Sequence, residues 1–406
     1  MTNRRGVVAM TVPGQGHLQR MLPVVAGLCD LGIPVHFFAH EGGRPQIEQA
    51  GAQFVDLYAN REMDRADAAS LPGPIRCVSF AGYYGDEVVR QVAPLQPRLV
   101  LHDTFAVIGR VVARHLSIPR VNMRAGHNLN PTRTLQELQR NGSIQISPQC
   151  QIAVRALRER HGLADASPFS YFMDDSAAFN VYSEPPEFLP PDQRRPFEPL
   201  AFFGSYWPEG AIIPEAAPSP YGPDSGVYMR VYISFGTAIW RDCEAEAVAV
   251  LDTLATALAE LPNVRALISL GRHNPPGLAT RLTRSNVRVE SYVNQIHVLR
   301  ESSVYITHHG LNSTHEAIYH GVPMISYPFF ADQPVLAARC QELGLAVPLA
   351  SGKGQPVTTN DVHRAVAKIV ASGARLQVRL AEARAWELAV IEQRTEVLRR
   401  IVGLMA

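Results

Sequence analysis

Two histidine-bearing stretches hold the residues whose types and spacing could do chemistry. One is Ile306-Thr307-His308-His309-Gly310-Leu311-Asn312-Ser313-Thr314-His315-Glu316. The apolar run before it reads as a buried strand. Ser313 to His320 is polar, then apolar at helical spacing, and is stopped by Gly321 and Pro323. The spacing therefore predicts strand, turn and helix, with Ser313 or Thr314 near the cap and Glu316 in the first turn. Backbone N–H groups at the positive end of a helix dipole bind anions. His308 and Asn312 add side-chain donors, so the stretch predicts a diphosphate pocket, with His309 competing for the role of His308. The other stretch is Gly14-Gln15-Gly16-His17, where a first apolar run gives way to helical spacing. Open α/β sheets bind ligands at the carboxyl ends of their strands. An imidazole there can take a proton from a hydroxyl. Asp103 follows the apolar run Arg98–Leu101 and reaches a similar edge. Each has a plainer reading: His17 as a surface or capping residue, and Asp103 as the cap of a helix over Thr104–Ala113. Strand alternation should turn His102 to the opposite face.

These residues need parallel sheets to position them, and the chain supplies the pattern. Residues 6–12, 34–39 and 53–57 read as strands separated by helical segments at His17–Leu31 and Pro45–Ala50, the alternation of a doubly wound sheet. Residues 59–90 read as irregular, with an aromatic group at Phe80, Tyr83 and Tyr84. The sheet resumes at Arg98–Leu101 and Arg120–Met123, with a helix through Arg114 between them. Weak helices and polar loop fill 124–175, where Phe169, Tyr171, Phe172 and Met173 cluster. These aromatic groups, with Met123, are read as lining an apolar pocket, the alternative being ordinary core. Five prolines between Gly204 and Gly226 mark a semi-rigid linker. A second βα series then runs from Arg230. The expected architecture is α/β, two Rossmann-like domains facing a central cleft. The boundaries are 1–207, a linker at 208–226, 227–385, and a C-terminal helix at 386–406 packing back on the first domain.

Composition excludes several classes. A chain of 406 residues is long for one core, and 46% hydrophobic with 18% charged residues is ordinary for a globular protein. A formal net charge of +1 leaves no electrostatic footprint for nucleic acid or an anionic membrane. Five cysteines, widely spaced and without a CxxC pair, argue against disulfides or a zinc site and suit a reducing cytoplasm. No apolar run approaches the roughly 18 residues of a spanning helix. The run at 6–10 breaks at Pro13 and is read as a strand, not a leader. A cytoplasmic monomer or homodimer is expected.

His308-x-Gly310-x-Asn312-Ser313-x-x-Glu316, followed by Gly321-Val322-Pro323, Pro328 and Asp332-Gln333, resembles the donor signature of the family 1, UDP-glycosyltransferase-like enzymes with the GT-B fold. Tyr292-Val293-Asn294-Gln295 resembles that family's base-recognition segment, and Gly14-Gln15-Gly16-His17 its N-terminal catalytic position. The likeness runs from the first strand to Gln333. It implies an inverting hexosyl transfer to a hydroxyl of a hydrophobic small molecule, of bacterial natural-product type. His17 is then the general base oriented by Asp103, and His308 with the turn around Gly310, Asn312 and Ser313 holds the diphosphate. The resemblance further implies that Tyr292 stacks on the base and Val293 pairs with it, while Gln295 and Glu316 meet the ribose. Thr237 and Gly16 are further donor contacts, and Asp332 and Gln333 hold the sugar. Glu316 has an alternative reading as an acid complementing the helix dipole. The co-substrate is a nucleotide sugar, UDP-glucose ahead of a dTDP-sugar, with no prosthetic group and no metal. Asp174-Asp175 is read as solvated, not as a metal pair. His309 and Leu311, where plant members carry Cys and Trp, leave UDP versus dTDP open. A nucleotide-sugar epimerase and a catalytically silent helper are the rival readings.

Overall fold

The computed structural model describes residues 6–124, 126–140, 144–173, 178–207, 218–222, 229–273, 275–349 and 356–406. Most of the proline-rich linker and the pair Asp174-Asp175 fall outside them. The chain divides into two compact units, Met1–Gly210 with Ala389–Ala406, and Ala211–Leu388.

The first unit is built on a seven-stranded sheet. Its strands are β1 (Val7–Met10), β2 (Val35–Ala39), β3 (Gln53–Asp56), β4 (Leu99–Asp103), β5 (Arg120–Met123), β6 (Phe179–Tyr182) and β7 (Leu200–Phe202). The order is β3-β2-β1-β4-β5-β6-β7 and every pairing is parallel. A parallel sheet buries both faces, and alternation along β1 shows it: Val7 and Ala9 enter one core, Val8 and Met10 the other. The second unit repeats the plan with β8 (Met229–Ser234), β9 (Val264–Ser269), β10 (Val287–Glu290), β11 (Val304–Thr307), β12 (Met324–Ser326) and β13 (Ala346–Pro348), ordered β10-β9-β8-β11-β12-β13 and again parallel. In each sheet the winding reverses beside the first strand, between β1 and β4 and between β8 and β11. Such a switch point opens a crevice at the strand carboxyl ends.

Two segments differ from the sequence reading. The supposedly irregular 59–90 holds an 18-residue helix, Ile75–Val92. Its glycines hid it, because glycine lowers helix propensity, yet Gly82 is where this helix presses on a neighbour. A Cβ there would lie 2.5 Å from the Ala153 carbonyl oxygen. That neighbour, Pro148–Glu159, is itself a regular helix capped by the Ser147 hydroxyl. The last helix, Arg394–Gly403, buries Val397, Leu398 and Ile401 in the core of the first unit. The Arg394 guanidinium donates to the carbonyls of Phe203, Gly204 and Tyr206. Ile401 is fully buried, so Ile401→Ala should lower stability by about 2–5 kcal/mol. The check is the urea midpoint; an unchanged midpoint would contradict this packing.

Candidate active site

In the first unit, β1 and β4 pair side by side, and the residues that follow them meet. The helix Gln15–Asp30 starts just after β1 and places His17 in its first turn. Asp103 is the last residue of β4, not a helix cap; the next helix begins only at Ile108. The His17 Nδ1 lies 2.9 Å from Asp103 Oδ2, while Asp103 Oδ1 accepts from the Phe105 N–H at 2.8 Å. Burial alone would raise the Asp103 pKa, but His17 and Arg20 outweigh it and hold the carboxyl below its ordinary value. The His17 side chain keeps 22% of its surface exposed against 1% for Asp103, so the imidazole is reachable and the carboxylate is not. His102 is turned away and packs against Gly109, as alternation requires.

Sequence reasoning missed Arg20 and Phe105. Arg20 stands one helical turn beyond His17, its NH2 3.1 Å from His17 Nδ1 and 3.8 Å from Asp103 Oδ2. A guanidinium only donates, and a Nδ1 that gives its proton to Asp103 has no lone pair to offer. With the dyad formed, Arg20 therefore acts on Asp103 through charge. The Phe105 ring lies 4.8 Å from the His17 ring, and Tyr171 follows at 5.2 Å and Phe172 at 4.8 Å. Phe169 closes that file at 5.9 Å. A second file runs Tyr58, Phe80, Tyr84, Tyr83. Both aromatic groups are thus brought onto one side of the sheet. Met123 is not: it is buried in the core of the opposite face. Phe80, Tyr84, Tyr171 and Phe172 are buried as well, which leaves Tyr83 and Phe169 as the group's accessible members.

In the second unit the equivalent pair is β8 and β11. The helix after β11 begins at Leu311 with Gly310 as its cap, about three residues before the expected start. Asn312 and Ser313 therefore lie in the first turn and Glu316 in the second. This corrects the reading of Glu316 as a first-turn acid, since the dipole effect fades beyond that turn. The His308 ring is wedged between two glycines. A Cβ on Gly236 would lie 2.8 Å from its Nε2, and one on Gly310 2.5 Å from it. Burial pushes the His308 pKa down to about 4 against the opposing pull of the Ser234 backbone, so the ring is neutral near pH 7. His309 does not compete. It is fully buried in a left-handed conformation, φ 59°, with Nδ1 3.2 Å from Thr314 Oγ1 and Nε2 2.8 Å from Ser326 Oγ.

Gln295 ties the rest together. Its Nε2 donates to Ser313 Oγ at 3.0 Å and to Glu316 Oε2 at 2.6 Å, and its oxygen accepts from the hydroxyls of Tyr232 and Tyr305. Tyr292 is exposed, and the Arg272 guanidinium covers one face of its ring at 4.5 Å, leaving the other face for stacking. Val293 adjoins it, partly buried, and Thr237 is exposed in the turn after β8. Asp332 is the residue before the helix Gln333–Glu342. The buried Gln333 oxygen already accepts from the backbone N–H groups of Phe329 and Phe330, so any bond it makes to a sugar oxygen comes from its amide NH2. Gly16 is exposed in the first unit, in the turn of helix that carries His17.

Burial raises the Glu316 pKa to about 7, with Gln295 and His315 pulling the other way. A folded value above the unfolded one gives stability that is present below about pH 4.5 and lost as pH rises through about 7. Glu316→Gln should consequently gain a few degrees of Tm relative to the parent between pH 5 and pH 8. A Tm difference that stays flat across that range would show that Glu316 titrates normally.

The family model for UDP-glucoronosyl and UDP-glucosyl transferase matches residues 220–375, which takes in every second-unit site residue named above. An uncharacterized UDP-glucosyltransferase, YdhE of Bacillus subtilis, is 26% identical over 349 residues, 83% of this chain and 84% of that one. The chain is similar to the family 1 glycosyltransferases, through the family model in its second half and at lower identity over most of its length. Solved structures carry the likeness to the fold as a whole. The glycotransferase of kitacinnamycin superposes with a TM-score of 0.74 at 20% identity, covering 99% of this chain and 100% of that one. The spinosyn rhamnosyltransferase SpnG, solved with thymidine diphosphate, gives 0.67 at 19% identity over 97% and 99%. The glycosyltransferase thus has the GT-B fold and transfers a sugar from a nucleotide sugar. Among its described residues, no helix is long and apolar enough to cross a membrane.

Proposed function

We propose that this glycosyltransferase moves a hexose, glucose first among candidates, from a nucleoside diphosphate to a hydroxyl of a hydrophobic small molecule, with inversion. The observation that carries the reading is the hydrogen bond between accessible His17 and buried Asp103. A carboxylate on Nδ1 fixes the tautomer that leaves the Nε2 lone pair free, and stabilises the imidazolium once a hydroxyl proton arrives. The acceptor oxygen, losing its proton to Nε2, attacks the anomeric carbon from the face opposite the diphosphate. The bond to the leaving oxygen breaks as the new one forms, through an oxocarbenium-like transition state. Negative charge then grows on the diphosphate. His308 and the backbone N–H groups of the first turn after Gly310 are preorganised to meet it. On this reading Tyr292 and Val293 receive the base, Gln295 and Glu316 the ribose, Thr237 a phosphate, and Asp332 and Gln333 the sugar hydroxyls.

The aromatic files leading from His17 and Tyr58 support an apolar aglycone. UDP is the first nucleotide to try. The thymidine diphosphate bound by SpnG makes dTDP the second. The test is incubation of purified protein with UDP-glucose and dTDP-glucose against a panel of phenolic and polyketide-like aglycones, with mass detection and NMR of the product's anomeric configuration. A β-glucoside from an α-linked donor is expected. A retained configuration, or epimerised donor without any transfer, overturns the proposal.

A further inference from the structure

Away from His17, three side chains that sequence order keeps apart converge on one face of the first unit. Asp86 lies in the helix Ile75–Val92, His115 in the last turn of Ile108–Leu116, and His161 just beyond Pro148–Glu159. His115 Nε2 is 2.9 Å from His161 Nδ1, and Asp86 Oδ1 is 3.8 Å from that same nitrogen. One ligand atom from each of the three lies within 4.8 Å of the others. We propose that Asp86, His115 and His161 form a binding site for a divalent transition metal, best matched by Zn2+, that no step of sugar transfer uses.

The chemistry fits that class of ion. Two imidazoles and a carboxylate are borderline donors that suit zinc, and three protein ligands with water in the fourth position complete a tetrahedron. With Zn–N bonds of about 2.05 Å, two imidazole nitrogens on a tetrahedral ion stand about 3.3 Å apart. The observed N···N separation of 2.9 Å is close to that value, and the Asp86 oxygen stands 3.8 Å from His161 Nδ1. The His161 ring is set for the purpose by what is missing beside it. A Cβ on Gly85 would lie 2.7 Å from the ring's Cε1 and 2.8 Å from its Nε2, so only glycine admits the ring there and directs Nδ1 toward His115. His115 is exposed, giving an ion a way in. Arg160, whose exposed guanidinium is 3.5 Å from Asp86 Oδ2, can swing out to solvent to admit an ion. A bound ion would pin three helices at one point and stabilise the fold by mass action.

The test uses tag-free, metal-stripped, full-length protein, equilibrium dialysis against Zn2+ with elemental analysis, and Tm with and without the ion. The expected result is one Zn2+ per chain and, at about a hundred times Kd, a Tm rise of about 5 °C or more. His115→Ala and Asp86→Asn should each weaken binding at least about tenfold, as loss of one of three ligands does, and His161→Asn should abolish it. Because His115 and Asp86 reach solvent, their variants decide the matter even if the His161 variant folds poorly. No zinc retained by the parent protein, or retention that both variants leave unchanged, overturns the proposal.

Discussion

Replacing His17 with alanine is expected to lower kcat for transfer to an alcohol by about 10²–10⁴-fold, the usual contribution of a positioned general base. Donor binding should survive, because the residues assigned to the nucleotide sugar, Gly16 apart, belong to the other unit. Asp103→Asn is the sharper version of the same experiment. An amide that donates to Nδ1 strips it of its proton and places that proton on Nε2, the atom that must be bare. Shape is nearly preserved while the tautomer is inverted, so kcat should fall by about 10³–10⁴-fold, as in other dyads built this way. Arg20 adds a control. It would lose the carboxylate it faces at 3.8 Å, so part of any loss can come from an uncompensated buried cation. Tm measured beside kcat separates the two effects. If Asp103→Asn keeps near-parent turnover, the dyad assignment is wrong, whatever happens to stability.

The second large effect is expected from one methyl group. Gly310 has φ −61°, a conformation open to any residue, so Gly310→Ala costs the backbone nothing. The new Cβ would stand 2.5 Å from His308 Nε2, inside van der Waals contact, and the ring must leave its wedge. Loss of one preorganised donor to developing charge costs about 10²–10³-fold. A reduction of that size in kcat/KM for the nucleotide sugar is expected, with the helix content unchanged by circular dichroism. His308→Ala should produce a similar loss, and the double variant little more than either single one, because both remove the same contact. A Gly310→Ala enzyme with parent-like donor kinetics would show that the diphosphate binds elsewhere.

The legible parts of the sequence were those where one physical signal dominated. The strands flanking both switch points are unbroken apolar runs, and Asp103 ends one of them within the predicted register. Signals failed where two requirements met in one residue. Gly82 and Gly85 serve close packing, which cost the Ile75–Val92 helix its pattern. Ser313 and Thr314 have the chemistry of caps, yet Gly310 takes that place because the His308 ring leaves no room for a side chain. Arg20 could have been found from its three-residue spacing to His17. Phe105 and Arg272 could not, since their neighbours, Tyr171 and Tyr292, are far along the chain or placed by turn geometry.

The return of residues 389–406 to the first unit has a consequence for recombination. The second unit is inserted between two segments of the first like a cassette, so its two ends form two junctions. A chimera made by a single crossover would pair one parent's first helix with the other parent's last one. At Gly27, where a Cβ would come 2.5 Å from a Leu398 methyl, such a hybrid joins two surfaces that were never selected together. Shuffling for new sugars in this enzyme is therefore best done as an exchange with two cuts, near residues 210 and 388, that keeps Gly27 and Leu398 from the same parent.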